Sequence, residues 1–375
     1  MSLADTLSAY DPRGLTLCCV GSHSALDVCL GAKAEGLRTL VVTAAGREQT
    51  YGRYYRSRAD FSGCVDETIR LDHFADVLQP DVQRRLLEHN AIFVPNRSFE
   101  VYLRQRHSYD EIERGMRIPF FGSRRLLRAE ERDESANQYA LLEAARIRYP
   151  RRIRSPEEID GLTLIKAPHA KVSFERAFFV ASTPTQYRTR SQALLSAGVL
   201  TPDGLKNAVL EEYVLGPTLN LNFFWSPILG ELELLGTDTR RQTNIDGARG
   251  LLAIEQAALG GAFAPSLQEA GHVAATVTES MLEQAFDMGE RFVSAAKAAQ
   301  PPGIIGPFAL QCVIAAGPPK SFVVYDVSLR MPGSPGTKYT PYSAYRWGRE
   351  ISTGERVAKE VVMARDADRL AEICT

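Results

Sequence analysis

Residues 15–24 read Leu15-Thr16-Leu17-Cys18-Cys19-Val20-Gly21-Ser22-His23-Ser24. A short apolar run stops at turn-forming residues, and Ala25 to Glu35 then places apolar residues at helical spacing, so the text is strand, tight turn, helix. Gly36 ends that helix, and Leu37 to Thr43 is a second buried strand, which completes a βαβ unit. The pattern continues through a strand over Thr68 to Leu71, a helix over Val82 to Asn90 and a strand over Ala91 to Pro95. This alternation predicts an open parallel sheet. Ligands of such sheets collect at the carboxyl ends of the strands, where Ser22-His23-Ser24 and the Asn96-Arg97-Ser98 loop are both expected. Helix-opening amides there suit a phosphate or carboxylate. The alternative for Ser22 or Ser24 is helix capping, and for His23 a structural turn.

The chain has 375 residues and a formal net charge of -1, is 45% hydrophobic and 24% charged, and at roughly 100–200 residues per domain is expected to form two or three. No global field draws it to nucleic acid or an anionic membrane, which leaves small-molecule substrates as the expected partners and a homo-oligomer open. The six cysteines show no CxxC pair, and several lie in apolar runs as small hydrophobes. The N-terminus lacks a signal-peptide core, and no run approaches the roughly 20 apolar residues of a membrane span. A cytoplasmic location is expected.

Three domains are expected at 1–120, 121–214 and 215–375. The charged runs Arg104 to Arg114 and Arg124 to Glu134 read as solvated faces. The central unit contains strands over Thr163 to Lys166 and Phe178 to Ala181, a helix over Thr185 to Ala197 and the apolar stretch Ala208 to Val214. The last third opens with a hairpin, Leu219 to Trp225 and Glu231 to Thr237. A long helix over Glu279 to Ala299 follows, then two strands over Phe308 to Ala315 and Ser321 to Leu329. The fold class is thus α/β and α+β: an N-terminal open parallel sheet, a small central domain and a C-terminal antiparallel sheet.

Several side chains in this layout suit nucleotide chemistry. Lys166, at a strand end, can neutralise phosphate. Glu211, Glu212, Tyr213 and Val214 offer backbone groups for an adenine edge and a carboxylate for ribose. Gln311 and Asp326, on the two late strands, supply oxygen ligands of the kind Mg²⁺ takes. Asp326 lies in an apolar strand, where an unpaired carboxylate is costly, so a cation or Arg330 is its expected partner. Arg47, Arg53, Arg240 and Asn244 are candidates for holding an anionic substrate. For each of these, a solvated surface role is the alternative.

This order of domains and residues resembles an ATP-grasp protein. Gly21-Ser22-His23-Ser24, with Gly31-Ala32-Lys33-Ala34-Glu35-Gly36, closely resembles the first motif of the FAICAR synthetase family, the archaeal formate-dependent ligases of purine synthesis. The likeness continues through Pro95 to Phe99, Glu211 to Gly216, Phe224 to Pro227, Asn244 to Gly247, Pro301 to Gln311 and Ser328 to Arg330. It implies ATP and Mg²⁺ as cofactors and a ligase that joins formate to the amine of aminoimidazolecarboxamide ribonucleotide (AICAR) through an acyl phosphate. By resemblance, His23, Ser24 and Ser98 lie at the ribonucleotide, the 211–214 segment at adenine, and Gln311 and Asp326 near the metal; on their residue types, Arg47 is expected with the substrate residues, Lys166 at the nucleotide, and Arg240 and Asn244 in catalysis.

The chain also departs from the family. Lys171 to Ala177 reads KVSFERA, without the family's phosphate-cradling glycines, and the family's earlier phosphate-binding lysine falls near Gln138 and Tyr139. Asn222 replaces a histidine, and a ligand Asn is missing after Asp326. These changes imply weak ATP binding. They also keep open two other functions: a homologue acting on another acid or amine in one-carbon cofactor synthesis, and a non-catalytic nucleotide-binding or complex-forming subunit.

Overall fold

The computed structural model describes residues 3–60, 62–131, 134, 136–167, 178–243, 245–259 and 267–375. The expected loop Lys171 to Ala177 and the candidate Asn244 lie outside the described residues.

The N-terminal strands are β1 (Thr16–Val20), β2 (Arg38–Ala44), β3 (Glu67–Leu71) and β4 (Ala91–Phe93). They form a parallel sheet in the order β3-β2-β1-β4. Every residue of β1 and β4 is buried, as expected of parallel strands covered on both faces. One cover is helix Ala25–Ala34, which ends at Gly36 with a φ of 74°, a left-handed stop that glycine adopts without strain.

A second helix, Thr353–Asp366, comes from the far end of the chain and packs against helix Ala25–Ala34. Its Val357, Ala358, Val361 and Ala364 share a core with Val28 and Ala32. The approach needs glycine on both sides. A Cβ on Gly31 would lie 2.2 Å from the Glu355 nitrogen, and one on Gly354 would lie 2.1 Å from the Asp27 carbonyl oxygen. Asp27 accepts the Gly354 N–H at 3.0 Å. The sequence reading did not foresee this helix.

The central strands are β5 (Arg152–Ile153), β6 (Thr163–Lys166), β7 (Phe178–Ala181) and β8 (Val209–Glu212). They form an antiparallel sheet in the order β5-β8-β6-β7, with Ile153, Ile165, Phe179 and Leu210 in its core.

The third sheet contains β9 (Thr218–Ser226), β10 (Glu231–Thr243), β11 (Leu267–Ala275), β12 (Gly306–Ala315) and β13 (Ser321–Ser328), antiparallel in the order β11-β10-β9-β12-β13. Leu221, Phe223, Phe308, Leu310, Val324 and Val327 pack on helix Leu282–Ala299 through Phe292 and Ala296. The period of two along a strand leaves the other face for polar residues.

One expectation fails on packing grounds. Within the run Arg124 to Glu134, of which residues 132 and 133 lie outside the described residues, the first half is not a solvated face, because Leu126, Leu127 and Ala129 are buried and Arg124, Arg128 and Glu130 bond to protein. The Arg124 guanidinium donates to the carbonyls of Glu113 and Met116. Glu130 accepts the Leu329 N–H at 2.6 Å, and Gln138 accepts the Val327 N–H at 2.9 Å. The outer edge of β13 is therefore occupied by side chains.

Candidate functional site

The register of the third sheet builds a polar row from four strands. Asp238 on β10 pairs with Asn220 on β9, Asn220 with Gln311 on β12, and Gln311 with Asp326 on β13. All four side chains are buried. A carboxylate therefore stands at each end of the row with two amides between. Next to it, Asn222 pairs across to Ala309, and Ala309 to Ser328.

The row is tied by hydrogen bonds. Asp238 accepts from Asn220 Nδ2 at 2.8 Å and from Asn222 Nδ2 at 2.7 Å, and it meets His272 Nδ1 at 2.5 Å. Gln311 Nε2 donates to Ser328 at 3.2 Å, while Gln311 Oε1 is buried with no hydrogen-bond partner among the described residues. A buried acceptor left in this state is costly, which makes it a natural cation ligand. Arg240, His272, Gln311 and Arg330 line one cleft, which Arg97 and Gly333 help to close.

The N-terminal loops meet at that cleft. Ser22 Oγ donates to Ser98 Oγ at 2.8 Å across 76 residues, and Arg47 Nη1 donates to Ser22 Oγ at 3.0 Å. The Arg47 guanidinium also lies 5.3 Å from the Tyr102 ring centre and 5.7 Å from that of Phe74, which hold it by cation–π attraction. The His23 ring is edge-on to His272, with centres 6.1 Å apart, and it abuts Gly333. Ser24 makes no side-chain cap. It has a φ of 70°, and its hydroxyl donates to the Pro332 carbonyl at 2.5 Å. A non-glycine residue in that conformation stores strain of a kind found at functional sites. Met331 N donates to the Pro95 carbonyl, which closes the seam between the two sheets.

On the other side of the row, Lys166 and Glu211 form a buried ion pair between neighbouring strands. Lys166 also donates to the Tyr325 carbonyl at 3.3 Å, next to Asp326, and Tyr139 donates to Glu211 at 2.9 Å. The sequence reading gave these two charges separate tasks. Glu212 and Val214 are half-buried and Tyr213 is exposed. Arg53 is exposed and stacks on Tyr54, outside the cleft-lining set.

Arg330, just past β13, has two buried acidic partners. It pairs with Glu130 at 2.8 Å and Glu100 at 3.3 Å. Burial, with the Glu130 charge next, pushes the Glu100 carboxyl up to about 8. Burial also raises Glu130.

The structure thus gathers His23, Ser24, Arg47, Ser98, Arg240, Gln311 and Asp326 along the interface of the N-terminal and C-terminal sheets, with Lys166 and Glu211 beside it. Sequence reasoning missed Arg97, Asn220, Asp238 and His272. For Asp238 a signal existed, because it interrupts a run of strand-forming residues; His272 sits in a weakly patterned strand that offered none.

Two family models match the chain: a protein of unknown function, DUF1246, over residues 17–153, and a domain of unknown function, DUF1297, over residues 186–375. A relative from Methanopyrus kandleri described as 5-formaminoimidazole-4-carboxamide-1-(beta)-D-ribofuranosyl 5'-monophosphate synthetase is 37% identical over 373 residues, covering 100% of this chain and 98% of the relative. The crystal structure of an IMP biosynthesis protein, PurP, from Thermococcus kodakaraensis aligns with a TM-score of 0.69 and 28% identity, covering 96% of this chain and 100% of that one. An N5-carboxyaminoimidazole synthetase from Staphylococcus aureus complexed with ADP aligns with a TM-score of 0.59 at 9% identity, covering 93% and 77%, a likeness of fold alone. The architecture is ATP-grasp. Among the described residues, no helix is long and apolar enough to cross a membrane.

Proposed function

This chain belongs to the family of the 5-formaminoimidazole-4-carboxamide-1-(beta)-D-ribofuranosyl 5'-monophosphate synthetases, and on that premise we propose that it is an ATP-dependent carbon–nitrogen ligase. It joins formate to the amine of AICAR through an acyl phosphate. The observation that carries this reading is the seam itself, where an anion cradle on one sheet faces a buried polar row on another.

Catalysis of this kind consists mainly of positioning and charge neutralisation. Ser22, Ser98 and Arg47 hold the phosphate of the amine substrate. His23 and Ser24 fix its base near the cleft. Arg240 orients the carboxylate, and Asn244, outside the described residues, is assigned beside it on its residue type and its place in the chain. Lys166 meets the nucleotide phosphates, and the 211–214 segment receives adenosine.

Mg²⁺ fits the polar row. Gln311 Oε1 is a buried acceptor with no hydrogen bond among the described residues, and Asp326 stands opposite it. No group of three or more His, Cys, Asp or Glu among the described residues could hold a metal by itself. Phosphate and water oxygens would supply the remaining ligands, the usual mode for this ion. When bound, it neutralises the triphosphate.

The test is incubation of the purified protein with ATP, formate and AICAR, reading ADP release and the formylated product together. Product formed only with all three components supports the reading. A second reading, a ligase for another acid or amine, is favoured by the glycine-free sequence Lys171 to Ala177; it predicts ADP release with a different pair and none with formate and AICAR. A protein that binds Mg-ATP in a thermal-shift assay but releases ADP with no pair would be a non-catalytic member.

A further inference from the structure

The geometry points to His272 as the base that takes the proton from the attacking amine, with Asp238 as its positioning residue. This inference rests on the ligase reading above. Asp238 meets His272 Nδ1 at 2.5 Å, and an ionised carboxylate can only accept, so Nδ1 carries hydrogen and the lone pair of the neutral ring lies on Nε2.

Asp238 cannot turn away from this task. Asn220 and Asn222 donate to its two oxygens at 2.8 and 2.7 Å, and it is buried at 1% exposure. Such a carboxylate fixes the tautomer and stabilises the imidazolium that forms, the arrangement by which a histidine base is oriented. The ring itself lies on the cleft wall, edge-on to His23, with centres 6.1 Å apart. The charged and titratable groups that face it are Asp238 and Arg240 from β10, His23 and Arg97 from the N-terminal loops, and Arg330 beyond β13.

The amine nitrogen bonds to the acyl carbon, the bond from that carbon to the phosphate oxygen breaks, and phosphate leaves with its electron pair. One N–H proton of the amine passes to His272 Nε2. An amine conjugated to an imidazole carboxamide is a weak nucleophile, so removing its proton as the bond forms is where a base contributes.

The experiment compares wild type, H272Q and D238N as full chains, measuring amide formation and acid-dependent ADP release across pH 5–9. Amide formation is expected to fall about 100-fold or more in H272Q, the range a general base supplies. The acidic limb of its kcat profile should vanish, and amide formation should fall by a larger factor than acid-dependent ADP release; D238N should show the same split to a smaller degree. D238N should lose kcat with little change in KM. Unchanged amide formation with the limb intact in H272Q overturns the assignment, as does an equal loss of both reactions, which would place His272 in phosphoryl transfer. A wild type that releases no ADP with any acid and amine sinks the ligase reading itself, and this proposal with it.

Discussion

Lys166 and Glu211, on adjacent strands of the central sheet, are each other's ion-pair partners at 3% and 1% side-chain exposure. Two charges so fully removed from water hold only as a pair, and breaking one side leaves the other uncompensated. K166M should therefore destabilise the protein by about 3–5 kcal/mol, read as a lower midpoint in urea. The same variant should lose Mg-ATP stabilisation in a thermal-shift assay. Wild-type stability in K166M would show that Glu211 is satisfied by Tyr139 alone.

The anion cradle gives a separable prediction. R47M removes one charge-assisted donor, a contact worth roughly 1.5–3 kcal/mol. The KM for the phosphorylated amine should rise about 10- to 100-fold by that conversion, with the KM for formate unmoved. Equal changes in both would mean that Arg47 shapes the whole cleft and does not bind the phosphate.

Glu100 makes stability pH-dependent in a direction opposite to that of most carboxylates. Its folded-state value, about 8, lies above the ordinary 4.5, so the folded protein holds a proton that the unfolded chain has released. Stability contributed by this group falls as pH rises from about 4.5 to about 8. Thermal midpoints of wild type and E100Q should converge at low pH and diverge above neutrality, with wild type the steeper. Parallel slopes would remove Glu100 as the source.

The junction of helix Ala25–Ala34 with helix Thr353–Asp366 should not tolerate a single methyl group. G31A places a carbon 2.2 Å from the Glu355 nitrogen, backbone that cannot yield as a side chain would. Overpacking of this kind costs about 1–3 kcal/mol or more. Limited proteolysis should cleave the variant near residue 350 first. An unchanged digestion pattern would mean that the two helices separate freely.

The N-terminal sheet, the central strands and the start of the hairpin of β9 and β10 were legible because their signals are local, apolar runs of strand length closed by Gly, Pro or Ser; β10 itself continues to Thr243, past the expected end at Thr237, because its polar second half pairs with β11. β6 and β7 fall on the expected residues, as do the late strands within two residues. β11 was not legible, since Leu267–Ala275 is an edge strand with Gly271 and without clean alternation. The docking of Val357 and Val361 on Val28 was hidden for another reason, because no pattern within either helix names its partner. The site divides in the same way. Ser22, His23 and Ser98 follow from the carboxyl-edge rule. The bond between Asp238 and His272 depends on a strand pairing across 34 residues, and the contact between Lys166 and Glu211 on the order of strands in a sheet.

The occupied edge of β13 bears on how the protein behaves in a crowded solution. An exposed edge strand with free N–H groups is a template on which another chain can add a strand and begin a fibril. Here Gln138 and Glu130 already fill two of those positions, at Val327 and Leu329. The residues that brace the ligand-facing strand thereby also serve as a guard against polymerisation. Replacing both with alanine would leave those two N–H groups without their acceptors and would also take from Arg330 its Glu130 partner.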